Sequence, residues 1–233
     1  MKSTAILIPA RYNSSRFPGK PLAIMDGDPL IVRTVKQCLK TGLPVYVLTD
    51  DYRIESAVSS YTTVYLDETR KPDNGTERCA NAIQTHMFDK YDKFVNVQGD
   101  MPDITPEIVF SVIKCLEDYS VSTANTHMPA KYRDDPNTVK LVRSNRECLW
   151  FGRGMVGYGE WHLGVYGYSR SALEAYPRLG FSIEEEVEKL EQLRWLKNGY
   201  KIGCAYVEFK GVEINTPEDI EKWYEVRKSL GNH

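Results

Sequence analysis

Thr4-Ala5-Ile6-Leu7-Ile8-Pro9 runs straight into Ala10-Arg11-Tyr12-Asn13-Ser14-Ser15-Arg16-Phe17-Pro18-Gly19-Lys20-Pro21-Leu22, and this junction decides the fold. Thr4–Ile8 is a short apolar run without alternation, the pattern of a strand buried on both faces, and Pro9 ends it. A loop carrying Arg11, Arg16 and Lys20 among Gly and Ser then follows. In an open α/β sheet, ligands bind beyond the carboxyl ends of the strands, where this loop would lie.

Outward from the junction, short β-branched or aromatic runs alternate with helical patterns. A helix is expected from Leu30 to Lys40, with Pro29 at its start and Gly42 past its end. Strand Val45–Leu48, a helix from Arg53 to Ser60, strand Thr63–Leu66 and a helix from Thr76 to Met87 come next. Strand Lys93–Val97, a helix from Glu107 to Leu116 and strand Val121–Thr126 complete the series. This order predicts a mostly parallel sheet with helices on both faces.

The second half loses the rhythm. Val139–Arg143, Cys148–Phe151 and Val165–Tyr168 read as strands joined by loops. One long helix is expected from Ile183 to Lys197, with Ser182 and Glu185 spaced as a capping box and Gly199 as its stop. Ile183, Val187, Leu190 and Leu193 would form its core-facing stripe. Glu188, Glu191 and Gln192 would share a polar arc beside it. Strand Ile202–Val207 follows, and the last helix opens at Thr216-Pro217-Glu218-Asp219 with Thr216 as N-cap. No linker or repeat interrupts residues 1–233, so the organisation is a single domain with an extended lobe near 125–170.

Composition narrows the function. The 233 residues carry 30 Lys+Arg and 32 Asp+Glu, for a formal charge of −2. That balance argues against nucleic acid as the main partner, because counterion release needs a concentrated basic face. No apolar run is long enough to span a membrane, and the run after Met1 is too short for a signal peptide. Cys38, Cys79, Cys115, Cys148 and Cys204 contain no C-x-x-C spacing, which favours a reduced, cytoplasmic protein without a zinc site.

The first loop suits an anion. Arg grips phosphate oxygens bidentately, Lys acts as a movable point charge, and backbone amides of the Ser and Gly stretch add an anion nest. A solvated basic turn is the bland alternative. Asn96-Val97-Gln98-Gly99-Asp100 closes a buried strand and places an acid at the edge of the same crevice. Mg²⁺ takes one or two carboxylates with phosphate oxygens and water, a role open to Asp100 unless it only forms a turn. Gly152-Arg153-Gly154-Met155-Val156-Gly157 spells the dinucleotide pattern, yet the glycine-broken aromatic stretch after it does not open a helix, so NAD binding is discounted.

Ala10 to Leu22 resembles the signature of the 3-deoxy-manno-octulosonate cytidylyltransferases, the CMP-Kdo synthetases. The resemblance continues through Gly75-Thr76-Glu77-Arg78, Val95 to Asp100, Asp135 to Lys140, His162 to Tyr168, Leu190 to Arg194 and Thr216 to Asp219. It implies a nucleotide-diphospho-sugar transferase-like, Rossmann-like α/β fold with a small antiparallel extension. It also implies Mg²⁺-dependent transfer from CTP to the anomeric hydroxyl of 3-deoxy-manno-octulosonate, as part of lipopolysaccharide synthesis, by a homodimer. Carried over residue by residue, Lys20, Asp100 and Arg11 would be catalytic. Ala10, Arg11, Ser14, Arg16, Lys20, Gly75, Arg78 and Gln98 would bind CTP. Arg153, His162, Glu191 and Gln192 would bind the sugar, with Arg153 facing its carboxylate. Asp100 and Asn215 would hold the metal.

Three departures stand out. The family reads Val-Asp-Thr-Pro-Glu-Asp where this chain has Ile214-Asn215-Thr216-Pro217-Glu218-Asp219, so an amide replaces a metal-binding acid; Glu213 is an alternative source of charge. Met101 replaces an acid common in the family. The loop between Arg153 and His162 is shorter than usual, which leaves open the 8-amino analogue or a sialic acid, while Asn215 and Met101 leave open a catalytically weak nucleotide-binding homologue.

Overall fold

The computed structural model describes residues 3–13 and 16–231. Strand β1 (Thr4–Pro9) leads through the first loop to a short hairpin, β2 (Ile24–Met25) and β3 (Asp28–Pro29). Then come α1 (Leu30–Leu39), β4 (Val45–Thr49), α2 (Tyr52–Val58), β5 (Thr63–Leu66), α3 (Gly75–Ala82), β6 (Lys93–Val97), α4 (Pro106–Cys115) and β7 (Val121–Thr126). The second half contributes β8 (Lys140–Ser144), β9 (Glu147–Gly152), β10 (Glu160–Ser169) and α5 (Arg170–Ala175). It ends with α6 (Ile183–Glu188), α7 (Gln192–Lys197), β11 (Ile202–Tyr206) and α8 (Glu218–Ser229).

Nine strands join in one sheet, ordered β5-β4-β1-β6-β10-β7-β11-β9-β8. β1 pairs in parallel with β4 and β6, β4 with β5, and β7 with β11. The α/β architecture is the expected one, but its antiparallel part is not confined to one margin. β10 enters from a loop rather than a crossover helix, so it runs antiparallel, and it lies between β6 and β7. Gly167 on β10 has no room for a side chain, because a Cβ there would collide with Ser122 Oγ and Val112 Cγ1. Its absence lets α4 press close to the sheet.

Alternation along the central strands divides the core. Ala5 and Leu7 point to one layer with Phe88, Phe94, Tyr168 and Trp195, while Ile6 and Ile8 point to the other with Val35, Val47, Val95 and Val109. Burial of each such side chain is worth about 1.5–3 kcal/mol. All five cysteines are buried free thiols. Among the described residues, no helix is long and apolar enough to cross a membrane.

Three local expectations change. The single helix over 183–197 is two helices, broken at Lys189, which adopts φ 54°. Ile183 is 77% exposed and Val187 74%, so only Leu190 and Leu193 of the expected stripe reach the core. The reason is tertiary: buried Glu185 turns inward and pairs with Arg194 at 2.7 Å, and the reversal at 189 brings Glu191 toward α3. The helix expected from Thr76 to Met87 stops at Ala82, with a separate turn at His86–Phe88. At α8, Pro217 is already helical, and the Asp219 carboxylate caps from inside by accepting from Asn215 N and Thr216 N, both at 2.9 Å.

Candidate active site

The first loop folds on a tight turn. Gly19 takes φ 70° against the Tyr12 ring, where a Cβ would sit 3.1 Å from the phenol oxygen. Its N–H donates to Tyr12 O at 3.0 Å, and Arg53 stacks on the ring with its guanidinium carbon 3.3 Å from the centroid. The turn delivers Lys20 to the carboxyl end of β6. There its Nζ donates to Asp100 Oδ2 at 2.7 Å and to Ile214 O at 2.9 Å.

Arg11, Arg16 and Asp100 open onto one cleft of about 630 Å³, within the usual range for small-molecule sites. Ala10, Gly75, Arg78 and Gln98 line it too, as do Arg153, His162, Glu191 and Gln192. Lys20 closes the floor through its bond to Asp100. Asn215 is not part of the cleft wall; it sits at the rim with its amide oxygen 3.5 Å from Arg16. Ser14 lies outside the described residues.

At the nucleotide end, Arg78 is buried and pairs with Asp50 at 3.0 Å. Gly75 opens α3 beside the Gln98 amide, which a Cβ would approach to 3.0 Å. Glu191 accepts from Thr76 N at 3.0 Å and from Gln98 Nε2 at 3.4 Å, a carboxylate at the positive end of α3. Burial nevertheless raises its pKa, outweighing those donors.

At the sugar end, the Arg153 side chain is held by Glu188 O at 3.1 Å and Asn137 O at 2.7 Å. Burial and the neighbouring Arg16 lower its pKa. His162 lies within β10, packed between Phe151 and Tyr166. Burial pushes its pKa down to about 3, so the ring is neutral. The Thr123 hydroxyl donates to Val165 O at 2.8 Å and contacts His162 Nε2 at 3.0 Å. Having spent its proton, Thr123 must accept from Nε2–H, which assigns the tautomer and leaves Nδ1 as an acceptor. Gln192 accepts from Tyr166 O–H at 3.1 Å, while its buried Nε2 has no partner among the described residues. A buried amide donor without a partner is a group that a ligand can satisfy.

Asp50, Glu188 and Tyr166 were absent from the expected site, and Glu213 entered it only as an alternative source of charge. Asp50 follows β4 as Asp100 follows β6, the same strand-end signal. Glu188 and Tyr166 lay inside segments already singled out, but their partners, Arg153 and Gln192, show only in the fold. Glu213 lines the cleft, accepts from Gly164 N at 3.1 Å, and has its carboxyl pushed up to about 7 by burial and then by Asp100.

Among the described residues, no three His, Cys, Asp or Glu side chains are grouped to cage a metal. The oxygen donors at the floor instead suit Mg²⁺ shared with substrate phosphates, which needs only one or two carboxylates from the protein.

The sequence pattern of the cytidylyltransferase family matches residues 5–202. A 3-deoxy-manno-octulosonate cytidylyltransferase of Parabacteroides distasonis is 39% identical, over 93% of this chain and 94% of its own. An 8-amino-3,8-dideoxy-manno-octulosonate cytidylyltransferase of Shewanella woodyi is 38% identical, over 94% of this chain and 96% of its own. A solved structure of CMP:2-keto-3-deoxy-manno-octonic acid synthetase complexed with CTP superposes with a TM-score of 0.86 at 32% identity, covering 99% of each chain. The 4-diphosphocytidyl-2C-methyl-D-erythritol synthase of Anaerococcus prevotii, at 13% identity and a TM-score of 0.65 over 97% of this chain and 99% of its own, shares the fold.

Proposed function

Because this chain belongs to the cytidylyltransferase family, we propose that it transfers the cytidylyl group of CTP to the anomeric hydroxyl of 3-deoxy-manno-octulosonate, releasing pyrophosphate. The observation that carries this reading is the single cleft lined by Arg11, Arg16 and Asp100 together with Arg153, His162, Glu191 and Gln192. A triphosphate and a hydroxylated acid would meet there side by side. The 8-amino sugar is the second reading, favoured by relatives of equal identity that carry that name.

Arg11, Arg16 and Lys20 would grip the triphosphate, with Lys20 nearest the reacting phosphorus. Backbone and side-chain donors near Gly75, Arg78 and Gln98 would hold the nucleoside. Arg153 would pair with the sugar carboxylate, while His162 Nδ1 and Glu191 accept from its hydroxyls and Gln192 Nε2 donates to them. The hydroxyl then attacks the α-phosphorus in line as the bond to pyrophosphate breaks. Charge spreads over phosphoryl oxygens at that point, so positioning and fixed cations supply most of the acceleration. Mg²⁺, held on the protein side by Asp100, would screen the triphosphate when bound. A homodimer fits the exposed apolar side chains Val156, Tyr158, Phe181, Ile183 and Val187. Residence in the cytoplasm fits the free thiols and the nucleotide substrate.

Pyrophosphate release tests the proposal across four nucleoside triphosphates and several keto-sugar acids, with and without Mg²⁺. Turnover is expected with CTP and one eight-carbon keto-sugar acid, falling about 10²–10³-fold in Lys20→Ala without a comparable fall in melting temperature. Near-unchanged rates in that variant, or CTP binding without turnover on any sugar, would sink it.

A further inference from the structure

We infer that Glu213 supplies the second carboxylate for the divalent cation at the floor of the cleft, the charge that the amide at 215 lacks. The inference rests on the Mg²⁺-dependent reading above and goes beyond it in assigning the ligand.

Ile214 N donates to Asp100 O at 3.0 Å, so the segment carrying Glu213 is tied by its backbone to the residue that carries the first acid. Lys20 Nζ, on Asp100 Oδ2 and Ile214 O, marks a point where positive charge is already collected between those segments. The Glu213 carboxylate lines the cleft and is aimed by one bond, from Gly164 N to Oε1. Among the described residues its other oxygen accepts nothing. A Cβ at Gly164 would press on Gln98 Cγ at 3.3 Å but only touch Oε1, at 3.7 Å, so the amide rather than the missing side chain aims Glu213. Asn215 is placed differently. It is outside the cleft wall, its amide oxygen faces Arg16, and a neutral amide adds no charge to a hard cation site. Two recessed carboxylates on bonded backbone segments repel each other until a cation joins them. Mg²⁺ bound with substrate phosphates asks for that number of acids.

Mn²⁺ binding to the enzyme saturated with CTP, without sugar, tests the assignment by electron paramagnetic resonance. Glu213→Gln should weaken Mn²⁺ by at least about tenfold, while Asn215→Ala changes it by less than about threefold. CTP affinity in chelator should be unchanged in both. Asn215→Asp, which leaves Glu213 in place and so does not depend on tolerance at 213, should gain less than about threefold. Glu213→Asp, which keeps the charge, should bind Mn²⁺ more tightly than Glu213→Gln, separating lost charge from lost fold. The inference is overturned if Glu213→Gln binds Mn²⁺ like wild type, if Asn215→Ala loses as much as Glu213→Gln, or if Asn215→Asp alone gains tenfold. If wild type with CTP binds no more Mn²⁺ than CTP does by itself, the metal reading fails first and takes this one with it.

Discussion

His162 shows how one side chain can be both core and site. Its ring is sealed between Phe151 and Tyr166, its Nε2 proton is committed to Thr123, and only Nδ1 is left to face the cleft. Burial holds its pKa near 3 against an ordinary 6.5, so the unfolded chain binds the extra proton first. Between those values stability therefore rises with pH and is lost on acidification. From pH 7 to roughly pH 4.5 the loss should be about 2–3 kcal/mol from this residue. Urea midpoints of His162→Gln should show a correspondingly shallower pH slope; an unaltered slope would mean that the ring titrates freely. Arg11, Arg16 and Asp100 were legible in the chain because the strand-end rule places them without knowledge of the fold. Glu213 could be weighed there only as a substitute for Asn215, because its aim depends on the amide of Gly164, a residue from a different strand.

At the scale of elements, the first half of the molecule is almost transparent. Thr63–Leu66, Lys93–Val97 and Val121–Thr126 fall where the apolar runs put them, since each is a strand closed by Gly, Asp or Pro signals. The break between α6 and α7 was hidden for a physical reason. Ile183, Val187, Leu190 and Leu193 keep helical spacing across a point where the buried Glu185–Arg194 pair outweighs local preference. A lysine in the left-handed region costs about 1–2 kcal/mol relative to glycine's freedom there. Lys189→Gly should therefore leave the folding free energy unchanged or raise it by up to about 1 kcal/mol, whereas glycine inside an unbroken helix costs about that much. Chemical denaturation distinguishes the two, and a clear loss would argue for a continuous helix in solution.

For the molecule as a whole, the decisive feature is a strand that arrives late and sits at the centre. β10 supplies His162 and Gly164 to the cleft and separates β6 from β7 in the sheet. Its direction was not legible, because a short apolar run looks the same whichever way it pairs. A fragment ending at Thr126, though it holds the whole regular β-α series, would leave β6 and β7 facing an empty slot. It should show no cooperative thermal transition and should associate through those edges. A monomeric, sharply melting fragment would contradict the arrangement.

A ribosome meets the same geometry as a problem of timing. Emerging amino-end segments can form helices and pair β1 with its neighbours, yet the middle of the scaffold stays unzipped until more than thirty further residues have left the exit tunnel. Translation at about 5–20 residues per second makes that interval last seconds, during which sticky backbone is on display. Holdase chaperones should accordingly bind stalled nascent chains that end short of β10 and release those that have passed it.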